Sequence, residues 1–281
     1  MTNANRTVFD LDRIGGRKAL SEVIDQVLAA GEEALQHYRK GNANHYENKP
    51  DHSPVTIADR AIEQRLRGFL LARFPQIGFL GEESGEVGMG ERKMRFIVDP
   101  IDGTRAFIRG LQTWSVIVGL EADGEPVLAV VFMPAAGNLY VAVKGEGAFG
   151  NGKPLRVSAI DSLQLALVSH GGLNQFTSTG FERVLPALAG ASYSQRGFAD
   201  FDGHRTVLHG NADAMLDPGV KPWDLCATAV LVREAGGTMT SFEGEHTIYG
   251  GSALISNGLI HQQLLDIISR SKEPESIGQT G

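Results

Sequence analysis

Apolar positions fall into two distinct periods along this chain. From Ile14 to Tyr38, the residues Leu20, Val23, Ile24, Val27, Leu28, Ala34, Leu35 and Tyr38 recur at three- and four-residue intervals, which predicts an amphipathic helix. A second stripe of Ala58, Ile62, Leu66, Phe69 and Leu70 predicts a helix from Ile57 to Phe74, with Thr56 as its N-cap. Between the two, Gly41 to Asp51 has no apolar period and reads as a mobile loop. Lys49 in that loop is either a solvated charge or a contact for phosphate or substrate.

The middle of the chain changes to strand patterns. Ile77 to Leu80 is a short strand, followed by an acidic tetrapeptide and a loop from Gly85 to Lys93. Phe96 to Val98 is continuously apolar, as in a strand covered on both faces. Trp114 to Leu120 and Pro126 to Met133 are strands joined at Asp123-Gly124, and Asn138 to Val143 is another. Gly145, Gly147 and Gly150 have the spacing G-x-G-x-x-G, and Gly147 to Lys153 nearly matches a P-loop. No helical pattern follows, Pro154 stands where a P-loop needs Ser or Thr, and Leu155-Arg156-Val157 reads as a strand. The stretch is therefore a glycine-rich hairpin and not a nucleotide site.

The second half predicts a strand at Ala166 to Val168 and helices at Phe181 to Leu188 and Gly203 to His209. A strand at Ala214 to Leu216 runs into Asp217-Pro218-Gly219. Lys221-Pro222-Trp223-Asp224 opens an apolar helix that runs to Ala235 and stops at Gly236-Gly237. Two short strands and a helix from Leu259 to Ile268 close the pattern. The expected division is an N-terminal α+β half (1–157), a C-terminal half (158–270) and a disordered polar tail (271–281). No linker or repeat separates the halves, which predicts an extensive interface between them.

Composition narrows the possible partners. The 281 residues are 42% hydrophobic and 21% charged, which fits a soluble globular chain with one large or two modest domains. The net charge is −7 and no basic stretch could follow a phosphate backbone, so no nucleic acid partner is expected. Metal ions can still bring a phosphate to an acidic protein. Cys226 is the single cysteine, which excludes an internal disulfide and a Cys-based zinc site and agrees with a reducing, cytoplasmic setting. Met1 to Asp12 lacks the apolar core of a signal peptide, and no apolar run approaches the ~20 residues of a membrane helix.

Acidic residues cluster where apolar runs end. Phe96 to Val98 gives way to Asp99-Pro100-Ile101-Asp102-Gly103-Thr104, two carboxylates three residues apart across a turn. Pro100 fixes its own φ, and Gly103 permits close backbone approach to a ligand. Hard oxygen donors of this kind suit Mg²⁺ or Mn²⁺ rather than Zn²⁺, although an Asp-rich surface turn has the same composition. Gly81-Glu82-Glu83-Ser84 ends an earlier strand, and Asp224 stands at a helix start. Taken singly, Glu82 and Glu83 fit an exposed surface, Asp59 a charge complementing a helix dipole, and Asp224 an N-cap. Other catalytic plans lack their residues: there is no H-E-x-x-H, no G-x-S-x-G and no histidine pair at helical spacing.

In combination the motifs resemble the inositol monophosphatase superfamily. Its pattern is a G-E-E strand end, then D-P-[IL]-D-G-T, then W-D before an apolar helix. Ser53-Pro54-Val55-Thr56-Ile57-Ala58-Asp59 fits the same pattern, and the resemblance runs from Ile14 to Ile268. It implies an α+β fold, a layered α-β-α-β-α sandwich, often a homodimer, which hydrolyses a small-molecule phosphate monoester with two or three Mg²⁺ ions, Mn²⁺ serving as a substitute. Carried over by position, Glu82, Asp99 and the Ile101 carbonyl would hold one ion, and Asp99, Asp102 and Asp224 a second. The weakest would lie between Glu82 and Asp59. Glu82 and Thr104 would orient the attacking water, and Asp59 would accept from Thr104. Phosphate would rest on the ions and on the N–H groups of Gly103 and Thr104.

Two segments bear on the substrate. Arg105-Ala106-Phe107-Ile108-Arg109-Gly110 resembles the histidinol-phosphate phosphatase branch, D-G-T-[RK]-x-F-[IV]-x-G, rather than the Thr-Asn-Phe of inositol phosphatases. Ala199-Asp200-Phe201-Asp202-Gly203-His204 resembles that branch's G-D-x-x-G-Y but departs at Ala199 and His204. Asp200, and Asp217, which the resemblance places at the position of a substrate-binding acid, join Asp102, Gly103, Thr104 and Asp224 as candidate substrate contacts, although Asp200 also fits a helix cap. The expected activity is Mg²⁺-dependent hydrolysis of histidinol phosphate. The alternatives are inositol 1-phosphate or a related sugar or nucleotide phosphate, and, from another class, an inert metal-binding partner protein. That last reading would show as a missing ligand, and none is missing.

Overall fold

The computed structural model describes residues 7–39, 46–49, 54–88 and 93–272. A ribbon of β1 (Tyr46–Asn48) and β2 (Pro54–Thr56) stands apart from two larger sheets. The first contains β3 (Gly78–Gly81), β4 (Gly85–Val87), β5 (Met94–Asp102), β6 (Ser115–Ala122), β7 (Glu125–Met133), β8 (Asn138–Val143), β9 (Gly147–Gly150) and β10 (Lys153–Pro154). Its order is β10-β9-β8-β7-β6-β5-β3-β4, and β3 with β5 is its parallel pair. The second contains β11 (Leu167–His170), β12 (Ser194–Arg196), β13 (Ala214–Pro218), β14 (Thr238–Thr240) and β15 (Ser252–Ser256), in the order β12-β11-β13-β15-β14.

Both faces of the first sheet are covered, which explains its continuous apolar runs. Phe96, Val98, Val116 and Val118 pack under α1 (Gly16–Arg39) and α2 (Ile57–Arg73). Ile97, Ile117, Ala129 and Val131 point the other way, into a core shared with α6 (Asp200–Leu208) and α7 (Pro222–Glu234). Each such aliphatic burial stabilises the fold by roughly 1.5–3 kcal/mol. The opposite side of α6 and α7 meets Met215 and Ile255 of the second sheet. The outer face of that sheet is covered by α4 (Leu173–Ser178), α5 (Val184–Ala191) and α8 (His261–Lys272). The expected α-β-α-β-α sandwich is the fold observed. Among the described residues, no helix is long and apolar enough to cross a membrane.

Helix α7 fills the middle layer because β6 lets it come close. A Cβ on Gly119 would stand 2.5 Å from Cys226 Sγ and 3.1 Å from the backbone nitrogen of Ala227, so a side chain there would push the helix away. Pro222 occupies the first turn of α7, where a missing N–H costs nothing.

Several elements differ from the expected pattern. Tyr46–Asn48, within the expected loop, pairs with β2; residues 41–45, 50 and 51 of that loop lie outside the described residues. Gly85–Val87 is an edge strand, and residues 89–92 lie outside the description. Leu155 to Val157 is not a strand: Leu155 N–H bonds to Ala148 and Val157 N–H to Ala235. Helix α4 has Phe176 as its buried anchor, too little to register as a helical period. Helix α5 begins at Val184, not Phe181. Helix α6 begins at Asp200, three residues early, because Phe201 N–H is held by Asp102 Oδ2 at 2.9 Å, a contact 99 residues distant in sequence. Ser271 and Lys272 extend α8 instead of starting a tail, and the remainder of the expected tail, 273–281, lies outside the described residues.

Candidate metal-binding active site

The site begins where two parallel strands end side by side. Gly81 of β3 pairs with Val98 of β5, and the next N–H, that of Glu82, donates to the Val98 carbonyl at 3.2 Å. This sets Glu82 beside Asp99. Strand β5 then shifts register against β6 between Asp99 and Asp102, so pairing resumes at Asp102 with Ser115. Asp99 Oδ1 accepts from Ile101 N–H at 3.0 Å, and Asp102 Oδ2 accepts from the Ser115 hydroxyl at 3.0 Å. The irregularity turns both carboxylates towards the same space. Asp224 joins them from the first turn of α7, its Oδ2 accepting from Lys221 N–H at 2.7 Å. One carboxylate oxygen from each of Asp99, Asp102 and Asp224 lies within 4.8 Å of the others.

Crowding and burial shift these acids. Burial, with repulsion from Glu82, Asp102 and Asp224, holds Asp99 well above the ordinary carboxylate range. Burial, with Asp200 and Asp224, does the same to Asp102. Loss of water around Asp224 pushes it up to about 7, against the Lys221 N–H that favours its charge. Carboxylates gathered this closely fit a divalent cation, which would remove the repulsion that now drives protons onto them.

Thr104 opens the short helix α3 (Thr104–Ile108) behind Gly103, whose φ of 80° suits glycine. Its hydroxyl lies 3.2 Å from Asp59 Oδ1 and 3.0 Å from the Ile101 carbonyl. Asp59 is fully buried in a capping box at the start of α2, where its Oδ2 accepts from Thr56 N–H at 2.8 Å and from the Thr56 hydroxyl. Burial raises Asp59 to about 6.

A cavity of about 530 Å³ opens over this floor. Glu82, Asp99, Ile101, Asp102, Gly103, Thr104 and Asp224 line it together with Arg105, Arg109, Asn174, Gln175 and Asp200, and Asp200 Oδ2 lies 3.2 Å from where a Cβ on Gly103 would stand. Asp200 has a φ of 56°, a conformation most side chains avoid, and burial raises it to about 6. Asp59 stands behind Thr104 and does not line the cavity. Asp217, a candidate substrate contact by sequence, does not line it either. Its place in central strand β13 buries it against His204 Nε2, 3.3 Å away. Lys49 meets no open phosphate position: its ammonium lies 2.7 Å from Glu82 and 2.5 Å from Glu83.

Sequence reasoning passed over Glu63. Buried one turn beyond Asp59 on α2, it accepts the N–H groups of Glu83 and Ser84. Its sequence signal was a charge between Ile62 and Leu66 on a buried stripe. Ser115 was missed as well, a hydroxyl at the head of an apolar strand.

Comparison with known proteins bears on the family and the fold. The model of the inositol monophosphatase family matches residues 18–273. A histidinol-phosphatase from Mycobacterium tuberculosis is 38% identical over 224 residues, covering 78% of this chain and 86% of that protein. An inositol-1-monophosphatase from Rhizobium meliloti is 34% identical over 262 residues, covering 90% and 97%. The crystal structure of extragenic suppressor protein suhB from Bartonella henselae superposes with a TM-score of 0.81 at 30% identity, covering 90% of this chain and 99% of that one.

Proposed function

The chain belongs to the inositol monophosphatase family, and from that membership we propose that it is a Mg²⁺-dependent phosphomonoesterase acting on histidinol phosphate. The observation that carries the reading is the group of Asp99, Asp102 and Asp224, three acids within 4.8 Å at the floor of a cavity. Glu82, Asp99 and the Ile101 carbonyl would hold one ion, and Asp99, Asp102 and Asp224 another. Such ions neutralise charge on the phosphoryl group and leaving oxygen and acidify the attacking water.

The chain's own residues then have separable tasks. Gly103 and Thr104 present backbone N–H groups at the start of α3, where a phosphate oxygen can accept. Glu82 and the Thr104 hydroxyl orient the water that attacks phosphorus. Thr104 passes a proton towards Asp59 Oδ1, since its lone pairs can accept from water while its hydrogen points to the carboxylate. The P–O bond to the alcohol breaks as the new P–O bond forms, and the leaving alkoxide takes a proton from solvent. Asp200, beside Gly103 in the cavity lining, would meet the remainder of the substrate. Its carboxylate suits the ammonium and imidazole of histidinol phosphate better than a neutral polyol.

The test is release of inorganic phosphate from histidinol phosphate and inositol 1-phosphate side by side, with Mg²⁺ and with chelator. Mg²⁺-dependent preference for histidinol phosphate supports the proposal. Preference for inositol 1-phosphate would replace the substrate and keep the site; inertness towards both would remove the enzymatic reading.

A further inference from the structure

We propose that Glu63 is a positioning residue that aims Glu82 at the metal site. The inference rests on the reading that Glu82 holds an ion. Glu63 and Asp59 stand four residues apart on one face of α2, and each carboxylate reaches a different part of the site. Glu63 Oε2 accepts from Glu83 N–H at 2.8 Å, and Oε1 accepts from Ser84 N–H at 2.7 Å. Both oxygens therefore act as acceptors, the bidentate behaviour of a carboxylate. The Glu82 N–H is fixed separately by the Val98 carbonyl at 3.2 Å. The backbone is thus tied on both sides of the Glu82 Cα, before it to β5 and after it to α2.

Gly81 supplies an independent sign of the same contact. Its φ lies outside the left-handed region, so conformational freedom does not explain a glycine there. Space does: a Cβ on Gly81 would stand 2.6 Å from the carboxyl carbon and from Oε2 of Glu63. Glycine at this position admits the carboxylate to the two N–H groups. Glu63 is 2% exposed, and a buried acid is a costly way to stabilise a fold compared with an apolar side chain of similar size. What the acid provides is a fixed direction for the turn that carries Glu82.

The test measures ion binding rather than turnover. Mg²⁺ and Mn²⁺ are titrated calorimetrically into the full chain, into Glu63→Gln and into Gly81→Ala. Glutamine keeps one acceptor oxygen but turns an NH₂ group against the second N–H, and alanine displaces the carboxylate while leaving Glu63 in place. Both variants should bind ions ~10–100-fold more weakly, the usual cost of losing a partner that orients a ligand. The ion concentration for half-maximal rate should rise by the same factor, with much of the rate recovered at saturating ion. Amide exchange at Glu83 and Ser84 should quicken. A merely structural role would lower the thermal midpoint and leave ion affinity unchanged, and that result would overturn the inference. If Glu63→Gln does not fold, Gly81→Ala decides. A wild-type chain that takes up neither ion would remove the proposed function, and this inference with it.

Discussion

The Thr104 hydroxyl sits 3.2 Å from Asp59 Oδ1 and 3.0 Å from the carbonyl of Ile101. One hydroxyl hydrogen serves one acceptor at a time, so Thr104 must choose between them. Thr56 occupies the other Asp59 oxygen, which leaves Oδ1 facing Thr104. An ion on the Ile101 carbonyl would take that acceptor away and direct the hydroxyl to Asp59.

Replacing Thr104 by Ala removes this path while keeping the backbone N–H groups. The expected result is a kcat lower by ~10²–10⁴-fold with KM changed little, the range for loss of a positioned proton acceptor. Steady-state kinetics with histidinol phosphate measure it, and an unchanged kcat would discard the relay.

The ion-free chain should lose stability as pH rises. Folding raises Asp224 to about 7 and Asp59 to about 6, and lifts Asp99 and Asp102 as well. Unfolded, each returns to about 4. Between those values the folded chain holds protons that the unfolded chain has released. The stability these acids contribute is present below pH ~4 and is lost as pH climbs through ~6–7. In chelator, the thermal midpoint of wild type should therefore fall from pH 5 to pH 8 more steeply than that of Asp224→Asn. Parallel curves would contradict the assignment. Mg²⁺ added at pH 8 should restore the midpoint.

Lys49 places a positive charge where an ion would otherwise reach Glu82. Its pairing with Glu82 and Glu83, at 2.7 and 2.5 Å, must yield when a divalent ion takes Glu82. Lys49→Met should bind Mn²⁺ several-fold more tightly at the site nearest Glu82, because the competing cation is gone. Equilibrium dialysis is sufficient; equal or weaker binding would show that the ammonium and the ion coexist.

Selectivity should depend on Asp200. With Asp200→Asn, the ratio of kcat/KM for histidinol phosphate over inositol 1-phosphate is expected to fall ~10-fold or more, since a charge-assisted contact is worth roughly 1.5–3 kcal/mol. An undiminished ratio would move specificity to other residues of the cavity lining, with Asn174 and Gln175 the next to test.

Local chemistry was legible in the sequence wherever it was also local in space. Thr56 reads as an N-cap and Asp59 as a charge in the first turn, and the structure joins the two in a capping box. Asp99 and Asp102 stood out because a buried strand ends in them. Contacts between distant segments left no such trace. The hold of Asp102 on Phe201 N–H, which starts α6 early and gives Asp200 its unusual backbone, joins segments 99 residues apart. The same is true of Asp217. A strand-end acid reads as available to a ligand, and only the fold shows that His204 covers it. Glu63 was hidden for a different reason: a charge on an apolar stripe carries no sign of whether it faces water or two backbone donors.

The position of α7 has a consequence for how the molecule comes apart. It follows β13 in sequence, yet it packs against β5, β6, β7, β8 and β9 as well as β14 and β15. Neither sheet has a complete apolar cover without it. Separating the two sheets would expose the middle layer and carry Asp224 away from Asp99 and Asp102 in the same event. Unfolding should therefore be one cooperative transition, and a cleavage between residues 155 and 162 should leave two pieces that remain associated and still bind an ion.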